Sequence, residues 1–214
     1  MGDDGHETET AEGWPVSLRG VTESVVTTLG PNELWNAAAL GLHAPDDADA
    51  PVTATTWGRT RTRRNFERRG SGVVQFVTDP REFVDAALTI REEEGPILPS
   101  ADAWVEVEVE RLDAGVEGGA SDDGTEWVEW ALHPVESAVL AERPLTINRG
   151  FYAVVDATVA ASRLDVPAYD TDELLDRLAY FAETVGKCGG PEEREAFETL
   201  GEVTGWRERR ESRG

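Results

Sequence analysis

The sequence predicts an α+β protein, rich in strands first and helical last. Three observations predict it. Period-two or β-branched runs separated by Gly, Pro and Asp turns recur as far as Leu140. From Phe151 onward, apolar residues return instead at i, i+3, i+4 and i+7. About six strands with two short helices are thus followed by three helices, the order of folds that are β-rich first and helical last. The organisation that follows is an acidic tail (1–13), a β-rich domain (14–142), a helical subdomain (143–204) and a basic tail (205–214).

Residues 1–13 are polar and charged and predict a disordered tail, with His6 a solvated member of it. Val21–Leu29 is β-branched and reads as a strand. Residues 30–33 (GPNE) make a turn. Residues 34–43 return as a hairpin arm of unusually small side chains, suited to a flat ligand or simply to close packing. Residues 44–51 form an acidic loop, and Val52–Trp57 is a strand ending in Thr55, Thr56 and Trp57. A helix of about two turns follows over Arg61–Arg69. Ser71 and Gly72 then turn into a strand over residues 73–78.

Asp79 is an N-cap and Pro80 a first helical residue, with Phe83, Ala86, Ala87 and Ile90 on one face. Residues 91–100 read as a loop. In residues 102–112, Val105, Val107 and Val109 alternate with Glu106, Glu108 and Glu110. That is a half-buried antiparallel strand, its glutamates a solvated face rather than a metal or acid–base cluster. A Gly/Asp loop (113–125) leads to a returning strand (127–140), whose His133 carries no assigned chemistry. Asn148 caps a helix with Phe151, Val154, Val155, Thr158, Val159 and Ser162 on its apolar face. Asp170 and Glu173 form a capping box for the next helix, which ends in a turn at residues 186–190. Gly190-Pro191 begins the last helix, through Phe197 and Leu200, before a frayed basic tail from Trp206.

Acids number 43 against 20 basic residues, of which 19 are Arg and one is Lys187, for a net charge of −23. This resembles the composition of salt-adapted, GC-rich archaeal proteins, and such charge speaks to solubility rather than to fold. An acidic chain binding a basic partner is the alternative. A lone Cys188 excludes an intrachain disulfide and fits a reducing cytosol. No apolar run reaches the ~18 residues of a membrane span, and residues 1–13 lack a signal-peptide h-region. The expected location is the cytoplasm. No Ser/His/Asp arrangement, zinc-ligand spacing, GxxxxGK[ST] or GxGxxG is present.

One stretch carries a chemical signal. Residues 59–69 hold six arginines against Glu67, a net +5, so the rest of the −23 chain carries −28. Arg61, Arg63 and Arg64 fall in the first turn of a helix, beside the candidate caps Thr60 and Thr62. Cations there oppose the helix dipole by about 0.3–1 kcal/mol each. A bound anion reverses the sign, since free N–H groups, hydroxyls and guanidinium groups together bind phosphate. Two other readings stand beside this one: a nucleic-acid surface made of the patch and the basic tail, or a helix face paired with acids. The first is opposed by the −28 elsewhere and by the lack of interleaved aromatics.

The order Asn36-Ala37-Ala38, Thr60-Arg61-Thr62-x-x-Asn65, Asp79-Pro80 and Ile147-Asn148-Arg149 resembles a known pattern. It is similar to the FMN-binding split barrels of the flavin-reductase-like superfamily. More closely, it resembles the archaeal DUF447 family, which adds a helical C-terminal extension. The likeness runs from Val21 to Leu200, and its specificity lies in the order of the motifs. The chain departs in Thr60 for the usual Ser, Gln75 where the barrel strand often has Asn, and the acidic insertion at 44–51. The resemblance implies an antiparallel split β-barrel followed by a small helical subdomain, with FMN as cofactor. It implies that Thr60, Arg61 and Thr62 hold the phosphate, with Asn65 in the same motif. The isoalloxazine would lie against Asn36, Ala37 and Ala38 and the strand end Thr55, Thr56 and Trp57, where Trp57 either stacks on the ring or belongs to the core. It further implies a homodimer in which Asn148 and Arg149 of a second copy approach the flavin. The implied activity is that of an FMN-dependent oxidoreductase of unspecified substrate, or of a flavin-binding protein without turnover. No catalytic side chain is assigned, because the cofactor carries such chemistry.

Overall fold

The computed structural model describes residues 10–47, 50–117, 124–144 and 146–213. His6 and the greater part of the expected acidic tail lie outside them. Chain contacts define two units. One comprises Met1–Thr78, Glu92–Val116 and Thr125–Arg143; the other comprises Asp79–Arg91, Glu117–Gly124 and Pro144–Gly214.

The first unit is a closed antiparallel barrel. Its six strands are β2 (Val21–Leu29), β3 (Trp35–His43), β4 (Val52–Trp57), β5 (Ser71–Val77), β7 (Ala101–Glu117) and β8 (Thr125–Val139). They run in the order β8-β4-β3-β2-β5-β7, and β7 pairs with β8 to close the ring. Two short strands add to it: β1 (Thr10–Ala11) on β8, and β6 (Arg91–Glu93) on β3, the latter inside the expected loop 91–100. Helix α1 (Arg61–Arg69) joins β4 to β5 and packs over β2 and β3.

Alternation in β7 does what the sequence indicates: Val105 and Val107 are fully buried while Glu106 and Glu108 are exposed. These valines join Val26, Leu42, Val74 and Trp130 in the barrel core. The strand runs five residues beyond the expected end at Leu112, into the expected loop. Gly115 is the physical reason. A Cβ there would stand 2.9 Å from the Trp127 indole, so only glycine lets that ring lie flat across β7. The end of the expected loop, 118–123, is outside the described residues.

Buried polar groups of the barrel unit are paired, as burial requires. Trp130 Nε1 donates to Thr56 Oγ1 at 2.9 Å, and Ser24 Oγ donates to the Leu40 carbonyl at 2.7 Å. Gln75, fully buried, donates to Thr27 Oγ1 and to the Pro96 carbonyl, and accepts from Leu98 N at 2.6 Å. Gln75 thus ties residues 96–98 to the barrel wall. Helix α1 is anchored by Phe66, whose ring meets Trp130 edge-on at 5.4 Å.

The second unit is helical: α2 (Pro80–Leu88), α3 (Arg149–Ala161), α4 (Thr171–Cys188), α5 (Pro191–Thr204) and α6 (Trp206–Glu211). Asp79 caps α2 by accepting from Arg81 N at 2.9 Å. Phe83 and Ala86 are buried as expected. Ile90 is 73% exposed, because the helix ends two residues earlier and Val84 fills the core instead. The buried face of α3 also differs from expectation. It is made of Ala153, Val154, Ala157, Thr158, Ala160 and Ala161, while Phe151, Val155 and Val159 are half-buried and Ser162 is exposed. Backbone proximity explains it: a Cβ on Gly150 would collide with Gly189, so α3 lies too close to the end of α4 for large side chains between them.

Asp170 caps α4 through Asp172 N and Glu173 N, but the reciprocal carboxylate bond occurs at α5, where Glu193 accepts from Gly190 N at 2.7 Å. Cys188 is a free thiol at the end of α4. The basic tail is not frayed. After Gly205 (φ 58°), Trp206 is buried at 4% exposure and packs edge-on against Phe197, holding α6 in place.

Candidate functional site

Strand β4 hands the chain to Gly58 (φ 69°), whose N–H donates to the Glu126 carbonyl at 2.6 Å. Two residues later Thr60 takes an extended conformation and caps α1, its Oγ1 accepting from Arg63 N at 3.2 Å. Arg64 N reaches the Thr60 carbonyl. Arg61 and Thr62 occupy the first two helical positions, so their N–H groups have no carbonyl a turn earlier to bond. The Thr60 hydroxyl uses a lone pair on Arg63 and keeps its proton to donate. The start of α1 thus gathers two backbone donors, a hydroxyl donor and the Arg61 guanidinium within three residues.

The arginines around it divide sharply. Arg61 Nη1 donates to Glu92 Oε1 at 2.7 Å, and the same oxygen accepts from Asn32 Nδ2 at 3.2 Å. Arg63 donates to Glu67, to Glu126 at 3.0 Å and to the Gly58 carbonyl at 3.2 Å. Its hydrogen bonds to Glu67 above all, and then to Glu126, hold its guanidinium firmly in the charged form. Its side chain is 15% exposed, and it is a staple joining turn, helix and strand. Arg59 pairs with Glu126 and Arg69 with Glu33. Of the six arginines in residues 59–69, Arg64 and Arg68 have no acidic partner among the described residues. No group of His, Cys, Asp and Glu among those residues could hold a metal, and none of their helices is long and apolar enough to cross a membrane.

The remaining sequence-indicated residues do not form one surface. In β3, Asn36 and Ala38 share the interior face with Leu40, while Ala37 lies on the opposite face. Asn36 pairs in register with Thr28, whose carbonyl and hydroxyl both accept from Asn65 Nδ2, the latter at 3.0 Å. Asn65 therefore fastens α1 to β2. Thr56 is buried and engaged with Trp130 and the Val128 carbonyl. Thr55 and Trp57 lie on the other face of β4, and Trp57, 47% exposed, is not a core residue. In the helical unit, Asn148 accepts from Gly150 N at 2.8 Å and donates to Glu193 at 2.9 Å, so both ends of its amide are engaged, while Arg149 is exposed. Sequence reasoning missed Asn32 and Glu92. Nothing local sets Glu92 apart from Glu93 and Glu94; only its contacts with Arg61 and Asn32 mark it.

Comparison with known proteins adds a family and a fold. The model described as "Protein of unknown function (DUF447) N-terminal domain" matches residues 22–141, and "Protein of unknown function (DUF447)" matches residues 148–202. No curated protein matches the sequence. Among solved structures, an FMN-bound DUF447 protein from Methanosarcina mazei is similar at a TM-score of 0.68 and 23% identity, over 87% of this chain and 96% of that one. Nitrilotriacetate monooxygenase component B from Bacillus cereus gives 0.40 and 19%, over 63% of this chain and 79% of that one. A flavin reductase domain protein from Arthrobacter gives 0.40 and 15%, over 59% and 91%. The barrel with its helical extension is the fold shared with the Methanosarcina protein.

Proposed function

The chain belongs to the DUF447 family, and on that premise we propose that it is a flavoprotein that binds FMN through the start of α1. The observation that carries this reading is the donor set at Thr60, Arg61 and Thr62. A phosphate dianion fits it chemically: it accepts from the Arg61 and Thr62 N–H groups, from the Thr60 hydroxyl and from the guanidinium, all charge-assisted bonds. It also reverses the unfavourable placement of arginines in a first turn. The FMN-bound state of the Methanosarcina relative supports the choice of ligand.

Bound FMN supplies hydride and electron transfer, and the chain supplies binding and orientation. The ring is assigned to the outward face of β4, where exposed Trp57 offers a plane for stacking beside Thr55. Asn36, Thr56 and Asn65 support this arrangement from within the barrel rather than by touching the ring. The proposed activity is that of an oxidoreductase, in a homodimer to which exposed Arg149 is available from a second copy. Absorption of the purified protein tests the core of the proposal. Flavin bands that disappear in Arg61→Ala and Thr62→Ala support it. A colourless protein that leaves added FMN unbound, and retains RNA instead, overturns it in favour of the arginine patch as a nucleic-acid surface.

A further inference from the structure

An anion already occupies the guanidinium proposed for the phosphate. Glu92 Oε1 lies 2.7 Å from Arg61 Nη1, and Asn32 Nδ2 reaches the same oxygen at 3.2 Å. The Arg61 and Glu92 side chains are 39% and 31% exposed. An ion pair that open to water is held weakly and can yield to a dianion backed by helix N–H groups. Asn32 remains a partner for the carboxylate once Arg61 is taken. Meanwhile the backbone of Glu92 stays fixed, since β6 is paired with β3 and Gln75 ties residues 96–98 to the barrel wall.

We infer that Glu92 is an internal competitor of the phosphate: it neutralises Arg61 when the site is empty of anion, hands Arg61 over when FMN binds, and so sets how strongly the chain selects flavin with a phosphate over flavin without one. This rests on the proposed FMN site. It differs from a purely structural role for the pair, in which losing Glu92 would disorder Arg61 and weaken binding.

Glu92→Gln separates the two, because the amide keeps an acceptor for Asn32 and Arg61 while removing the charge. Quenching of flavin fluorescence is measured with FMN and with riboflavin, which has no phosphate, for both the natural and the substituted chain. The expected result is FMN affinity about three- to tenfold tighter in Glu92→Gln, from one repelling charge removed near a partly exposed site. Riboflavin affinity stays unchanged. Unchanged or weaker FMN binding in Glu92→Gln, with the natural chain binding FMN normally, overturns the competitor role alone. A natural chain that binds neither flavin overturns the proposed site and this role with it.

Discussion

Helices α1 and α6 are built from the same materials and begin differently. Each is short, each is rich in arginine, and each is pinned by one buried aromatic: Phe66 against Trp130 in the barrel unit, Trp206 against Phe197 in the helical unit. In α6 the cations are engaged. Arg209 pairs with Asp165 at 2.8 Å, Arg210 pairs with Asp176, and Arg207 lies over the Trp206 ring at 4.9 Å; just beyond the helix, Arg213 pairs with Asp172. Its start is Gly205, which offers no side-chain cap. Helix α1 begins with a threonine cap and leaves a hydroxyl proton and two N–H groups available. On the proposed reading, anion binding follows from how a helix begins rather than from the number of its arginines.

The largest expected effects fall on the anchors. Phe66→Ala and Trp206→Ala should each destabilise their unit by about 3–5 kcal/mol, the usual cost of removing a buried aromatic. Denaturant unfolding followed by circular dichroism checks this, and a loss near zero for either would break the parallel between the two helices. Next comes the contrast in cations. Arg61→Ala should weaken FMN binding by about tenfold to a hundredfold, the scale of a lost charge-assisted hydrogen bond. Arg209→Ala should leave it unchanged in the same titration. Equal losses from both would mean that overall charge, not helix start, governs binding.

A smaller effect belongs to the cap itself. Thr60→Ala should cost about 1 kcal/mol of stability and part of the FMN affinity, whereas Thr60→Ser should preserve both; thermal melts with and without FMN separate the two contributions. The smallest concerns pH. Hydrogen bonds from Arg63 first, then Arg59, hold Glu126 below the ordinary carboxylate range, and Arg209 does the same for Asp165. A depressed carboxyl pKa adds stability above its unfolded value and loses it as pH falls through the folded one. Both helices should therefore loosen slightly on acidification below the ordinary carboxylate range, weakly because both acids are exposed. Carboxyl NMR titrations should show Glu126 moving part of the way up toward its ordinary value in Arg63→Gln, with Arg59 still in place, and Asp165 moving up in Arg209→Gln.

Much of the fold was legible because it rests on local signals. The period of β7, the Asp79-Pro80 and Asn148 caps, and the ends of α1 each depend on a few adjacent residues. Errors arose where a distant neighbour decided the outcome. The arm 113–117 reads as loop until Trp127 lies across Gly115, and the buried face of α3 shifts to alanines because Gly189 sits against Gly150. The basic tail reads as frayed until Phe197 is placed beside Trp206. At the start of α1, the Thr60 cap was legible from capping chemistry, whereas Thr62 is a helical residue rather than a cap, and the contacts of Glu92 and Asn32 were not legible.

By itself, the sequence determined most of the succession of strands and helices, the family to which the chain belongs, and the threonine-capped start of α1, since caps, periods and motif order are properties of consecutive residues. Only the tertiary structure decided which groups remain available. It engaged Asn65 on Thr28, Thr56 on Trp130 and Arg63 on Glu126, and it set Glu92 against Arg61. Hydrogen-bond capacity is finite, and which partner takes each donor depends on residues brought together by folding.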